Sequence, residues 1–109
     1  KVINMRENDK IAIEEFKKII KNKFSSRIVE FRIFGSKARG EDTEYSDIDI
    51  LIVIKNLTKK EENVIRDIDA EISLTNEVVI SAIIYDEERY KKCIELPFLT
   101  AVLKEGVVL

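Results

Sequence analysis

Histidine, tryptophan and glutamine are absent from this 109-residue chain, which has one cysteine, one proline and three glycines. Without histidine there is no Ser-His-Asp or Cys-His constellation and no His-ligated metal. Cys93 alone can form neither an intrachain disulfide nor a zinc site, so its plain role is that of a small buried apolar side chain. Few glycines and prolines leave no linker, repeat or low-complexity stretch, and residues 1–109 read as a single domain. No charge sign dominates. Nineteen bases against twenty-one acids give −2, which excludes a whole-molecule basic footprint for nucleic acid. The lysines at 17, 18, 21 and 23 read as a solvated helix face matched to the helix dipole. Long hydrophobic runs are also missing: Ile48 to Ile54 is broken by Asp49. Neither a membrane span nor a secretory signal is expected, and a cytoplasmic location follows.

What is present is 45% apolar and 37% charged, enough for one core under a dense ionic surface. Ile13, Phe16, Ile20 and Phe24 recur at helical spacing, predicting a helix over 7–24 with Asn8 or Asp9 as its cap. From Arg27 to Phe34 the period becomes two, with Val29, Phe31 and Ile33 on one side and Ile28, Glu30, Arg32 and Phe34 on the other. Gly35 to Ser46 is a polar loop or short helical turn. Asp47 to Ile54 is β-branched and apolar on both faces beyond its start, as in a covered central strand. Thr58-Lys59-Lys60-Glu61 is a capping box that opens a helix to about Leu74. Glu77 to Ile84 reads as a third strand and Asp86 to Ile94 as a helix. A last helix starts at Pro97 and stops at Gly106. The order predicts a small α/β sheet with helices packed on it.

Two places carry chemistry. Asp47 and Asp49 stand two apart at the head of a strand, so both carboxylates face one way, roughly 6–7 Å apart along the backbone. Like charges so placed repel unless a cation lies between them or the strand end is simply exposed. Hard oxygen ligands would suit Mg²⁺, which takes one or two carboxylates together with substrate phosphates. Upstream, Gly35-Ser36-Lys37-Ala38-Arg39-Gly40 follows a strand and combines a close-approach glycine, a hydroxyl and two cations. It lacks the order of a P-loop, and alone it is compatible with an ordinary turn.

Taken together, Gly35-Ser36-Lys37-Ala38-Arg39-Gly40 and Ser46-Asp47-Ile48-Asp49 resemble the G-S-x-A-x-G and S-D-x-D signature of DNA polymerase beta-like nucleotidyltransferases. The minimal nucleotidyltransferases (MNT) are most similar, and the ending Lys104-Glu105-Gly106-Val107 also resembles theirs. The resemblance implies the polymerase beta-like fold, with a small mixed sheet. It implies transfer of a nucleoside monophosphate, AMP from ATP, to a hydroxyl on a partner protein. Asp47 and Asp49 would hold two Mg²⁺ ions, Gly35 and Ser36 would grip the β- and γ-phosphates, and Lys37 and Arg39 would add positive charge. Lys37 stands where members usually carry Arg, a point charge in place of a planar fork. A third carboxylate belongs on the next long strand; the matching position is Glu77, where Asp is commoner, as metal ligand or general base. Many such proteins act as antitoxins beside a small helical HEPN-type partner. The alternative is a non-catalytic binding module of the same fold that neutralises that partner by complex formation.

Overall fold

The computed structural model describes residues 5–41 and 46–109. Helix α1 (Glu7–Phe24) buries Ile13, Phe16, Ile20 and Phe24, the stripe read from the spacing. Each such side chain contributes about 1.5–3 kcal/mol on burial. The residue before the helix is Arg6, which offers no side-chain cap. Asn8 and Asp9 already lie inside the helix. Asn8 donates its side-chain amide to the Asn76 carbonyl at 3.1 Å, and Asp9 is turned into the protein.

A short 3₁₀ turn (Ser25–Arg27) leads into β1 (Ile28–Phe34), followed by the one-and-a-half-turn helix α2 (Gly35–Arg39). Then come β2 (Ile48–Ile54), α3 (Lys59–Asn76), β3 (Ile80–Asp86), α4 (Glu87–Cys93), α5 (Pro97–Glu105) and β4 (Val107–Val108). Strand order is β3-β2-β1-β4. β1 is antiparallel to β2 and to β4, while β2 and β3 run parallel, joined through α3. This is the mixed sheet the resemblance implies. No helix among the described residues is long and apolar enough to cross a membrane.

β2 is central, and its residues from Ile50 to Ile54 are wholly buried, which is why it reads as apolar on both sides. Ile48, Ile50, Ile52 and Ile54 face one cluster, under α1 and α3. Leu51 and Val53 face a second, with Phe34, Tyr90 of α4, and Leu99 and Val102 of α5. Cys93 packs half-buried at the margin of this second cluster, as its type suggests.

Two further local expectations are corrected, and one strand is added. The simple alternation across β1 puts Val29 with Phe31 and Ile33, but a bulge between Ile28 and Glu30 shifts the register. Ile28 therefore joins the first cluster and Val29 the second, because a bulge inserts one unpaired residue and swaps faces. The third strand begins at Ile80, not Glu77. Helix α3 runs on to Asn76, and Glu77 takes a left-handed conformation (φ 56°) as its C-cap, bonding back to the Leu74 carbonyl at 3.4 Å. The apolar run Val78-Val79-Ile80 hides that turn, because it reads equally well as strand. Finally, β4 was not anticipated; two residues are too few to show a period. It pairs Val107 with Ile33 and Val108 with Arg32.

Candidate active site

The pairing of β1 with β2 builds the site. Phe34 stands opposite Asp49, so the residue after Phe34, Gly35, is delivered to the Asp49 carboxylate. Gly35 has φ +75°, and a Cβ there would collide with an Asp49 carboxylate oxygen. Only glycine satisfies both the backbone and the space. Asp49 lies on the same face of β2 as Leu51 and Val53, the face covered by α4 and α5, and the alternation carries Asp47 onto that face one step before the strand.

Asp47 is exposed and Asp49 half-buried. Burial raises the Asp49 pKa above the usual carboxylate value, and the Asp47 charge raises it further, while the Arg39 guanidinium pulls it down. Asp47, Asp49 and Arg39 thus share one electrostatic neighbourhood. Arg39 is exposed and donates to Glu41 at 3.0 Å and to Glu105 at 3.1 Å. Glu105 in turn accepts from the Gly35 backbone N–H at 3.4 Å. Gly106 makes this approach possible: a Cβ there would lie 2.6 Å from the Val102 carbonyl and 3.2 Å from that of Ile33. Gly40 ends α2 in the left-handed conformation (φ +75°), and the Glu41 N–H closes the turn on Ser36 at 2.9 Å.

Lys37, expected to face phosphate, is corrected. Its side chain is 0% exposed, and its ammonium meets the Asp9 carboxylate at 2.7 Å. On a helix as short as α2, neighbouring residues point different ways. Arg39 faces the site, and Lys37 faces α1. It acts as a strut beneath the loop, not as a ligand above it. Glu77 is likewise not brought to the pair. Parallel pairing sets Ser81 opposite Asp49 on the same side of the sheet, and Glu77 lies four residues earlier, exposed, outside β3. Ser81 is therefore the β3 residue that stands beside Asp49.

Among the described residues no group of three His, Cys, Asp or Glu is placed to hold a metal. The two aspartates still fit Mg²⁺, which needs no more than one or two protein carboxylates when substrate phosphates complete its shell. A groove of about 410 Å³ between α1 and β4, lined by Ile13, Lys17, Ile33, Val107 and Leu109 among others, contains none of these residues.

The comparison with known families agrees with this geometry. The model described as "Nucleotidyltransferase domain" matches residues 13–108, from α1 to β4. The chain belongs to that family. As a nucleotidyltransferase it is 42% identical over 102 residues to a Methanocaldococcus jannaschii protein named "Putative protein adenylyltransferase MJ0604", covering 94% of this chain and 98% of that one. A second protein of that organism, "Putative protein adenylyltransferase MJ0141", is 40% identical over 96 residues, covering 87% and 92%. A crystal structure titled as a putative nucleotidyltransferase from Sulfolobus solfataricus aligns with 96% of this chain and 87% of its own at 22% identity and a TM-score of 0.47.

Sequence reasoning missed three residues of this nucleotidyltransferase: Asp9, Ser81 and Glu105. Asp9 and Lys37 carry no local signal of partnership, being 28 positions apart. Glu105 was visible only as part of a familiar ending.

Proposed function

We propose that the chain transfers AMP from ATP to a hydroxyl of a partner protein. The observation that supports this is the close approach of Gly35 and Asp49, the residues to which phosphate and metal binding are here ascribed. Asp47 and Asp49 would hold Mg²⁺, two ions once nucleotide is bound. Held there, Mg²⁺ would supply neutralisation of the triphosphate charge and activation of the acceptor oxygen. The Gly35 N–H and the Ser36 hydroxyl bind the β- and γ-phosphates, and Arg39 stabilises the charge that gathers on departing pyrophosphate. The acceptor oxygen bonds to the α-phosphorus, the bond to pyrophosphate breaks, and the acceptor proton leaves to water. Lys37 is given no contact with the nucleotide, and Glu77 no part in the reaction.

The names of the two relatives support a protein acceptor. The resemblance to minimal nucleotidyltransferases supports a tyrosine hydroxyl on a small helical HEPN-type protein, with transfer neutralising it as a toxin. The test is transfer of label from α-³²P-ATP to that partner with Mg²⁺ present. Labelling that disappears in Asp47→Asn/Asp49→Asn is expected. Absence of label on the partner, with nucleotide bound and complex formed, would end the proposal.

Ser81, rather than a carboxylate, beside Asp49 favours one second reading, a non-catalytic module that neutralises by binding alone. An Asp49→Asn variant that neutralises the partner as well as the wild type would establish it.

A further inference from the structure

Glu105 occupies two donors to which the proposed function gives phosphate. One of its carboxylate oxygens, Oε2, bridges the Gly35 N–H at 3.4 Å and the Arg39 guanidinium at 3.1 Å. Those two donors are the ones assigned above to the triphosphate. A carboxylate and a phosphate present the same thing to such donors, an anionic oxygen that accepts charge-assisted hydrogen bonds. Both cannot be accommodated by one N–H.

The placement is built, not incidental. The close approach at Gly106 brings the end of α5 against β1, and the pairing of Val107 with Ile33 holds it there. The Glu105 side chain is 32% exposed, so it has room to swing out to water. Glu41 offers a natural comparison: it also pairs with Arg39, at 3.0 Å, and carries the same charge, but makes no bond to Gly35.

We infer that Glu105 is a resident anion in the phosphate subsite, which the triphosphate of an incoming nucleotide must displace, and so sets nucleotide affinity. The inference rests on the phosphate-binding role proposed for Gly35 and Arg39. A site closed for a fraction of the time loses affinity in proportion. If Glu105 is seated about nine-tenths of the time, the apparent Kd is raised about tenfold.

The test is calorimetric titration of the whole chain with ATP and, separately, with inorganic tripolyphosphate, both in Mg²⁺. The proteins compared are the wild type, Glu105→Gln, Glu105→Ala, Glu41→Gln and Asp47→Asn/Asp49→Asn, each checked for an unchanged circular-dichroism spectrum. Expected is about tenfold tighter binding of both ligands in the two Glu105 variants, and less than threefold in Glu41→Gln, although both glutamine variants remove one negative charge. Equal or weaker binding in both Glu105 variants overturns the inference while leaving the site reading standing. So does an equal gain in Glu41→Gln, which would mark a general charge effect. Binding by none of the proteins, or binding undiminished in the double aspartate variant, overturns the site reading itself, and the inference falls with it.

Discussion

Replacing Asp49 by asparagine should stabilise the metal-free protein, the reverse of what most substitutions in a half-buried position do. The two carboxylates project from positions two apart on one face, about 6.6 Å along an extended backbone. Two unit charges at that spacing repel by about 0.6 kcal/mol with water-like screening and about 2.5 kcal/mol at an effective dielectric near 20. Asp47 is exposed, which draws the value toward the lower figure. Removal of the partly desolvated charge, the largest of the effects on Asp49, adds to the gain, and loss of the Arg39 attraction subtracts a little. A net gain of about 1 kcal/mol follows, equivalent to about 4–8 °C in Tm for a domain of this size. The assay is a thermal melt by circular dichroism, first in EDTA and then with Mg²⁺ added. In EDTA the variant should melt higher than the wild type. With Mg²⁺ the wild type should rise, because binding to the folded state alone adds stability, and the variant should rise much less. An Asp49→Asn protein that melts at or below the wild type in EDTA would refute the claim that the pair is held in mutual repulsion.

Three further outcomes follow from the same contacts. Asp9→Asn, which takes the Asp9 charge away from the buried Lys37 ammonium, should cost up to about 3–5 kcal/mol in urea unfolding, whereas Asp9→Leu/Lys37→Met should recover most of it; equal losses would deny the buried pair. Gly35→Ala should abolish nucleotide binding, since its Cβ displaces Asp49, while Gly40→Ala, which opens onto free space, should cost only about 1–2 kcal/mol of backbone strain and leave binding unchanged by calorimetry. The bidentate Arg27 contact holds the Glu61 pKa down at about 2, against 4.5 for an ordinary glutamate. This depressed carboxyl contributes stability above pH 4.5 that is lost as pH falls toward 2. An NMR carboxyl titration should show the low value in the wild type and a rise toward the ordinary one in Arg27→Gln.

Periodicity located the long elements well. The stripe on α1, the covered strand β2 and the capping box at Thr58 are each the direct product of local residue order, and each stands within a residue or so of its expected place. The capping box closes in both directions, with Glu61 N–H to the Thr58 hydroxyl and Thr58 N–H to the Glu61 carboxylate, each at 3.1 Å. The Gly35 and Asp49 contact was implicit in the motif, because the strand before the glycine and the strand bearing the aspartates can meet only by pairing. What stayed hidden depends on partners far along the chain. The direction of Lys37 is decided by Asp9, a residue whose type alone suggested a helix cap. The start of β3 is decided by a left-handed Glu77 that no residue preference announces. The register that puts Ser81 beside Asp49 is decided by α3, whose length sets where the chain re-enters the sheet.

The burial of Lys37 has a bearing on how firmly the loop keeps its shape. Five residues make too short a helix to persist on their own, since one turn scarcely repays the cost of its nucleus. Anchored through Asp9 to the 18-residue helix α1, α2 can unwind only if a charge is exposed and α1 loosens with it. Its amides should therefore exchange with solvent deuterium at the slow rate of the whole fold, while the two-residue strand β4 opposite exchanges by local opening. The floor of the proposed phosphate site is thus the rigid part, and the short strand that follows Glu105 is the part free to yield.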